Sequence, residues 1–279
     1  MDTNTNEIIA AQKASWNKFS PGWRKWDALI MDFLQPHGAA IIEHLKPKGA
    51  QVVLDIAAGT GEPGLTIARQ LAGGKVVITD LAEGMLQVAS EKVKKAGIKN
   101  VEMREADACA LPFADHSFAA VSCRLGYMFF PDMAQATHEM VRVLEPGGRI
   151  ATTVWGAPEK NYWITCMVQN IARHIEVPPP PPGAPGMFRC AKPGTISRLF
   201  EAAGLKGVSE REVPSIMGIS GPAEYWQMMT EISAPFVAAL SNATAATVGK
   251  VKENVIAAMT ERHPKGSIPA CGTLIVGTR

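Results

Sequence analysis

The fold of this chain is decided by the stretch Val52-Val53-Leu54-Asp55-Ile56-Ala57-Ala58-Gly59-Thr60-Gly61. An apolar run of the length of a buried strand passes directly into a turn of small residues, and an amphipathic segment follows from about residue 62. Gly59 and Gly61 lack a Cβ atom, so the turn can adopt dihedral angles that other residues avoid and can approach a ligand closely. Because helix N-termini favour such ligands, the stretch predicts a site for a nucleotide-like molecule.

A second buried strand, Lys75 to Thr79, ends at Asp80, about one βαβ unit after the turn. A carboxylate at that place can bind a ribose diol, both in dinucleotide dehydrogenases and in enzymes that use S-adenosylmethionine (SAM). The negative charges of Asp55 and Glu62 next to the turn would repel a pyrophosphate but not the cationic amino and sulfonium groups of SAM. SAM is therefore the favoured ligand, and a nicotinamide dinucleotide is the alternative.

The third acid of this kind is Asp107, which follows the predicted strand from Val101 to Arg104. Its carboxylate could accept a hydrogen bond from the exocyclic amine of adenine. Asp55, Asp80 and Asp107 thus belong to the ends of three successive strands, at the edge where open α/β sheets bind ligands. We expect them to form one site.

The composition is that of an enzyme-sized globular protein. The chain has 279 residues, of which 47% are hydrophobic, and a formal net charge of +2. Its main basic run, at Lys92, Lys94, Lys95 and Lys99, contains no aromatic residue and is typical of a solvated helix face, so we expect no nucleic-acid partner. Five cysteines without metal-ligand spacing indicate a reducing compartment and no metal site. No apolar segment has the length of a membrane span, and residues 1–10 do not resemble a secretion signal, so we expect a cytoplasmic location.

The order of predicted elements indicates a single domain, residues 1–279. Residues 1–48 form an N-terminal helical cap with a break at Ser20-Pro21-Gly22, and residues 50–155 alternate strands and helices as in a parallel sheet covered on both faces. Residues 156–205 form a covering insertion, in which the proline tract from Val177 to Gly186 is interpreted as a stiff connector. Residues 206–279 contain a strand, two helices between about 222 and 260, and a final strand.

In this order, the motifs resemble those of the class I SAM-dependent methyltransferases, and more narrowly of the ubiquinone/menaquinone C-methyltransferase-like group. The likeness is carried by Leu54 to Gly61, Thr79 to Leu86, Asp107-Ala108 with Leu111-Pro112-Phe113, and Val143 to Arg149. It implies a Rossmann-like sheet, mostly parallel with the last strand antiparallel, preceded by N-terminal helices and carrying an inserted helical cover. It also implies SAM as the cofactor and S-adenosylhomocysteine (SAH) as the product.

The resemblance implies a role for each matched residue. Gly59 and Gly61 would approach the methionine part of SAM, Asp80 would bind the ribose hydroxyls, Met85 would pack on adenine, and Asp107 with the Ala108 amide would read the adenine edge. Ala57 stands where many members have the first glycine of the turn; because alanine favours negative φ, we expect a slightly different turn there. The full set of predicted cofactor residues is Asp55, Ala57, Gly59, Thr60, Gly61, Asp80, Leu81, Met85, Asp107, Ala108, Arg124, Trp16 and Phe19.

Catalytic candidates are fewer, because SAM is already activated and the protein has mainly to orient and desolvate the reactants. A base is needed only where the acceptor must lose a proton. The candidates are Arg124 and Tyr127, which follow the fourth strand, and His174 in the covering insertion; His37, His44, His116 and His263 are interpreted as surface or loop residues.

The predicted activity is methyl transfer to a small, largely apolar acceptor such as a quinol, a phenol or a natural-product intermediate. Aromatic and methionine side chains near the fourth strand and in the cover favour such an acceptor. The alternative is a SAM-binding protein that transfers no methyl group, either an enzyme that uses the sulfonium charge or a regulatory module. The sequence leaves the acceptor and the oligomeric state open.

Overall fold

A computed structural model describes residues 3–179, 181 and 183–279 of the chain. The α-helices are α1 (Thr3–Lys25), α2 (Asp27–Leu45), α3 (Gly64–Gln70), α4 (Glu83–Ala96), α5 (Met133–Val143), α6 (Tyr162–Ala172), α7 (Thr195–Ala202), α8 (Pro222–Ile232), α9 (Ala234–Ser241) and α10 (Ala245–Arg262). The strands are β1 (Val52–Ile56), β2 (Lys75–Asp80), β3 (Val101–Glu105), β4 (Phe118–Arg124), β5 (Leu144–Trp155), β6 (Lys206–Gly218) and β7 (Ser267–Thr278). No helix within these described ranges is both long and apolar enough to cross a lipid bilayer.

The strands form one sheet in the order β3-β2-β1-β4-β5-β7-β6, in which β3 and β6 are the edges. Strands β1 to β5 are parallel to their neighbours among themselves, and β7 is antiparallel to both β5 and β6. This confirms the predicted Rossmann-like sheet with an antiparallel last strand. The direction of winding reverses between β1 and β4, so a crevice opens at their carboxyl ends.

Apolar side chains bury both faces of the sheet. On one face, α2 and α3 contribute Ile41, Leu65 and Ile67 to a cluster with β1 and β2. On the other face, α5 and α7 contribute Met140 and Phe200 to a larger cluster, which extends to α6, α8 and α10. Each fully buried side chain of this size contributes about 1.5–3 kcal/mol, so the sheet is held from both sides and its carboxyl edge has a fixed geometry.

The N-terminal helices differ from the prediction at Pro21. Helix α1 continues through this proline to Lys25 and ends only at Trp26. The reason is tertiary contact with α8: Trp23 Nε1 donates to the Ile232 carbonyl at 3.2 Å, and Trp26 Nε1 donates to Glu231 Oε2 at 2.7 Å. Packing thus outweighs the hydrogen bond that the proline removes.

The C-terminal part also differs from the prediction. Three helices, α8 to α10, occupy the region where the sequence indicates two, and both β6 and β7 are longer than expected because they pair with each other from Lys206 to Gly218. Of the proline tract from Val177 to Gly186, residues 180 and 182 lie outside the described residues. Its far end is fixed to the loop after β4, where the Gly186 amide donates to the Met128 carbonyl at 3.1 Å.

Candidate active site

The glycine turn after β1 has three residues with positive φ: Ala57 at 51°, Gly59 at 56° and Gly61 at 105°. Instead of adapting the turn to a negative φ, Ala57 takes the left-handed conformation that a glycine would adopt, at a cost of about 1–2 kcal/mol. A Cβ on Gly59 would meet nothing within 4 Å, whereas one on Gly61 would lie 2.9 Å from Leu65 Cδ1. Gly59 therefore faces open space, and Gly61 is required by helix packing.

Asp55 lies beneath this turn rather than at its surface. Its side chain is 0% exposed, and both oxygens accept hydrogen bonds from the protein: Oδ1 from the Ser122 hydroxyl at 2.6 Å and Oδ2 from the Gly64 amide at 2.8 Å. Burial raises the pKa of Asp55 to about 7. The structure therefore gives Asp55 a different role from the predicted cofactor contact, namely to fix the start of α3 under the turn.

Asp80 ends β2 directly beside the turn. Its Oδ2 accepts from the Gly59 amide at 2.8 Å, and its Oδ1 accepts from the Ala82 amide at 2.9 Å. Burial raises the pKa of this carboxyl, and the backbone amides oppose the shift. Because each carboxylate oxygen can accept a further hydrogen bond, Asp80 is an oriented acceptor next to the open face of Gly59.

The remaining predicted adenosine contacts follow β2 and β3, which are neighbours in the sheet. Asp107 is half-buried and its Oδ1 accepts from the Cys109 amide at 2.9 Å, while Ala108 is buried. Leu81 is half-buried, and Met85 is buried on the first turns of α4. The structure thus brings the second and third acids and these apolar side chains to adjacent strand ends.

Helix α1 is the first part of the predicted N-terminal cap, and it lies across this carboxyl edge. Trp16 packs edge-on against Phe129, with ring centroids 5.3 Å apart, just after β4. One residue later, Asn17 Oδ1 accepts from the Gly84 amide at 2.8 Å, so α1 caps the N-terminus of α4. Phe19 is half-buried, and the Lys18 ammonium lies 5.7 Å from its ring centroid.

Arg124 ends β4 and is half-buried. Its side chain lines a cavity of about 460 Å³ between α2 and α3, and its Nη2 lies 3.3 Å from Met31 Sδ. Burial lowers the pKa of the guanidinium, and the surrounding acids oppose this shift. Leu125, which follows it, has a φ of 60°.

The structure does not bring the other two catalytic candidates to this edge. The Tyr127 hydroxyl is buried 2.9 Å from Thr137 Oγ1 and 3.3 Å from Met140 Sδ, inside the core, and burial raises its pKa strongly. His174 is exposed, and its Nε2 contacts Asn254 Nδ2 of α10 at 2.7 Å. A tyrosine fixed in the core cannot take a proton from an acceptor, and a histidine in solvent has no contact with the turn.

One residue of the site, Asp27, has no local sequence signal. Asp27, at the start of α2, accepts from the Thr60 hydroxyl of the turn at 2.6 Å and pairs with Lys92 of α4 at 2.9 Å. The contact between Asp27 and Thr60 spans 33 residues, so only the folded chain reveals it. This hydrogen bond to Asp27 also occupies the hydroxyl of Thr60, which is one of the predicted cofactor residues.

His37 is a further correction. The sequence places it at the surface, but it is 0% exposed, with Nε2 3.2 Å from Ser215 Oγ and its ring edge-on to Trp155 at 5.2 Å. Burial lowers the pKa of His37 to about 4, with a smaller contribution from the charge of Arg124. The imidazole is therefore neutral near pH 7.

Comparison with known proteins finds a family model and relatives that match part of this chain. Residues 53–148 match the family model described as a methyltransferase domain. A demethylmenaquinone methyltransferase from Thermus thermophilus is 36% identical over 140 residues, which cover 50% of this chain and 53% of that protein. The chain thus spans about half the length of the curated relatives it matches.

Solved structures share the fold across most of the chain. A putative methyltransferase from Bacillus halodurans superposes with a TM-score of 0.56 at 23% identity, covering 86% of this chain and 97% of that one. A structure described as a [4+2]-cyclase superposes with a TM-score of 0.55 at 18% identity, covering 87% and 80%. At these identities, the likeness establishes the fold and leaves the reaction to other arguments.

Proposed function

We propose that this chain, whose residues 53–148 match the family model described as a methyltransferase domain, transfers a methyl group from SAM to a small, largely apolar acceptor. The observation that carries the proposal is the pairing of an open glycine face with an oriented acid. Nothing would meet a Cβ on Gly59 within 4 Å, and the Gly59 amide itself holds the Asp80 carboxylate at 2.8 Å.

The residues fit the adenosyl part of SAM. Asp80 would accept hydrogen bonds from the ribose hydroxyls. Its two carboxylate oxygens are already held in a fixed plane by backbone amides. Met85 and Leu81 would pack on the adenine ring, and Asp107 with the Ala108 amide would bind its edge. Bound there, SAM supplies an activated methyl group.

The chain's own contribution is orientation and the exclusion of water. Trp16 and Phe129 form an apolar roof over the carboxyl edge, and the Asn17–Gly84 hydrogen bond fixes the roof to α4. Holding two reactants in line can supply a large part of the barrier reduction, about 7–11 kcal/mol in well-oriented systems. None of the catalytic candidates is placed to act as a general base, since Tyr127 is fixed in the core and His174 is exposed.

A quinol-like or phenolic acceptor is the favoured substrate class. The support is the apolar roof together with the name of the relatives, which are demethylmenaquinone methyltransferases. Because only about half of the relatives' length is matched, the acceptor is part of the proposal. A protein that binds SAM without methyl transfer is the second candidate, and the neighbour described as a [4+2]-cyclase is the observation that favours it.

The first experiment is calorimetric titration of the protein with SAM, SAH and NAD, repeated on Asp80→Ala. We expect SAM and SAH to bind and NAD not to bind. The substitution removes charge-assisted hydrogen bonds of about 1.5–3 kcal/mol, so the dissociation constant should rise about 10- to 100-fold. Glu83→Ala is the matched control, because this acid is exposed three residues further on. Binding of NAD in preference to SAM would overturn the proposal.

A second experiment separates the two candidate functions. The protein is incubated with methyl-labelled SAM and a panel of quinols, phenols and neutral apolar compounds, and label transfer is measured. Transfer to a quinol or phenol supports the proposal. Tight SAM binding with no labelled product, and product formation that SAH supports equally well, would favour the candidate that transfers no methyl group.

A further inference from the structure

The cavity between α2 and α3 contains a positive charge without a matching acid. Arg124 lines this cavity, and in the described part of the chain the one hydrogen-bond contact of its guanidinium is the thioether sulfur of Met31, at 3.3 Å. No carboxylate oxygen of residues 3–179, 181 and 183–279 lies within 4.0 Å of it. A guanidinium has five N–H donors, so most of its hydrogen-bonding capacity is unused.

The acids that surround Arg124 are engaged elsewhere. Three carboxylates are close enough for their charge to act on the guanidinium, and each has its own protein partners. These pairs are Asp55 with Ser122 and Gly64, Asp27 with Lys92 and Thr60, and Glu62 with Arg69 and the Thr66 amide. The fold thus surrounds Arg124 with negative charge but gives it no bonded partner.

A second polar group without a partner stands beside Arg124. Thr153 of β5 is the register partner of Arg124 across the parallel β4–β5 pair, so the two side chains project from the same face of the sheet. The Thr153 side chain is 0% exposed, and its Oγ1 has no hydrogen-bond partner. Thr153 is not one of the residues that line the cavity, so of these two groups Arg124 is the one that a ligand in the cavity can contact.

The walls of the cavity indicate what the rest of that ligand is like. Apolar groups of α2 and Pro63 form one part of them. The other part is polar and consists of the half-buried Glu62 and Thr66 and the exposed Gln35, Glu43 and Gln70. The volume of about 460 Å³ is in the range of sites for small organic ligands. The apolar wall residues are Met31, Gly38, Ala39, Ile42 and Pro63.

We propose that Arg124 binds the anionic oxygen group of an apolar organic acid whose body lies in the cavity between α2 and α3. A carboxylate matches the guanidinium with two parallel hydrogen bonds, which a neutral group cannot form with the same strength. That this acid is the methyl acceptor rests on the proposed function, because Arg124 ends β4 beside the glycine turn. Binding of the acid does not rest on it.

The test compares an acid with its neutral isostere. Binding of hexanoate and hexanamide is measured by ligand-detected NMR on the wild-type protein, Arg124→Gln, Arg124→Lys and Arg24→Gln. The last variant removes a guanidinium from the exposed face of α1 and serves as the control. We expect hexanoate to bind the wild type and the control equally, hexanamide to bind at least tenfold more weakly, and Arg124→Gln to weaken hexanoate about 10- to 100-fold.

Arg124→Lys keeps the charge without the planar fork, so an intermediate loss is expected, and this variant also serves if Arg124→Gln does not fold. Equal binding of hexanoate and hexanamide, or hexanoate binding that both Arg124 variants preserve, would overturn the proposal.

Titrations with SAH and 5′-methylthioadenosine exclude the other source of a carboxylate. The second compound lacks the amino-acid part of the cofactor. If Arg124→Gln weakens SAH tenfold and leaves 5′-methylthioadenosine unchanged, Arg124 binds the cofactor's own carboxylate and the proposal is wrong. A wild-type protein that binds hexanoate but neither adenosyl compound would contradict the proposed function and leave the acid site standing.

Discussion

At the scale of single residues, the glycine turn shows how two positions with the same φ serve different purposes. Ala57 and Gly59 have φ values of 51° and 56°, yet only Gly59 faces open space at the site. The alanine bears conformational strain that a glycine would relieve. Gly126, which follows β4, lies against this alanine. A Cβ added to Gly126 would be 2.7 Å from Ala57 Cβ, so the alanine side chain also fills a close contact.

This difference yields opposite predictions for two substitutions. Ala57→Gly should stabilise the protein by up to about 1 kcal/mol, since the relieved strain exceeds the added chain entropy. Gly59→Ala should destabilise it by about 1–2 kcal/mol and weaken SAH binding at least tenfold, because the new methyl group enters the site. Urea denaturation and calorimetry measure both effects.

The control for Gly59→Ala is Gly49→Ala. Gly49 has a φ of 59° and open space around its Cα, but it precedes β1, away from the carboxyl edge of the sheet. The Gly49→Ala variant should lose as much stability as Gly59→Ala and keep the affinity of the wild type for SAH. Equal loss of SAH affinity in both variants would show that the effect of Gly59→Ala is unfolding rather than obstruction of the site.

At the scale of elements, α1 is attached to α4 by the exposed Arg24–Glu91 ion pair and by one hydrogen bond at the N-terminus of α4. Asn17 Oδ1 accepts from the Gly84 amide at 2.8 Å, and a Cβ on Gly84 would lie 2.6 Å from Ser20 Oγ, so the two helices approach closely there. Residue 82, at the N-cap of α4, is an alanine and makes no side-chain cap. Asn17 thus supplies from a different helix what an N-cap residue normally supplies locally.

Asn17→Ala should therefore cost about 0.5–2 kcal/mol of stability and expose the amides at the start of α4 to hydrogen exchange. Asn17→Asp keeps an acceptor and adds a charge that suits a helix N-terminus, so it should retain most of the stability. Gln12→Ala, which removes a bond to Trp16 within α1, is the control and should leave the α4 amides protected. Exchange that is unchanged in Asn17→Ala would contradict the capping role.

Elements of the fold that depend on local patterns can be predicted from the sequence, and those that depend on distant contacts cannot. The strand–turn–helix unit, the alternation up to residue 155 and the acids at the ends of β2 and β3 are local patterns, and the structure confirms the sheet that they predict. The continuation of α1 through Pro21 depends on contacts with α8, about 200 residues away. The sequence does not reveal the buried position of Asp55 for a similar reason, because its partner Ser122 is 67 residues away.

At the scale of the whole molecule, two buried titratable groups affect stability in opposite directions. The pKa of Asp55 is raised to about 7, so the folded state binds this proton more tightly than the unfolded state, and stability falls as pH rises from about 4 to 7. The pKa of His37 is lowered to about 4, so stability rises as pH rises from about 4 to 6.5. Over the shared window, the two contributions cancel.

Single substitutions should reveal each contribution. Relative to the wild type, Asp55→Asn should gain about 1.4 kcal/mol per pH unit between pH 4.5 and 6.5, on top of a constant loss because one carboxylate oxygen becomes an NH2 group that accepts no hydrogen bond. His37→Gln should lose a similar amount per unit over the same range. Urea denaturation at pH 4.5, 5.5 and 6.5 measures both slopes. Slopes of the same sign in both variants would refute the account.

The two edges of the sheet have a consequence for how copies of this protein meet in concentrated solution. Edge strand β3 is five residues long and exposes Glu102, Arg104 and Glu105, while β6 carries Glu210, Arg211 and Glu212 at its middle, followed by Pro214. Charges and proline on an edge oppose the addition of a foreign strand, because they would have to be desolvated and the proline offers no N–H. Both borders are thereby protected against the edge-to-edge pairing that starts aggregation, although Ile216 of β6 is 60% exposed.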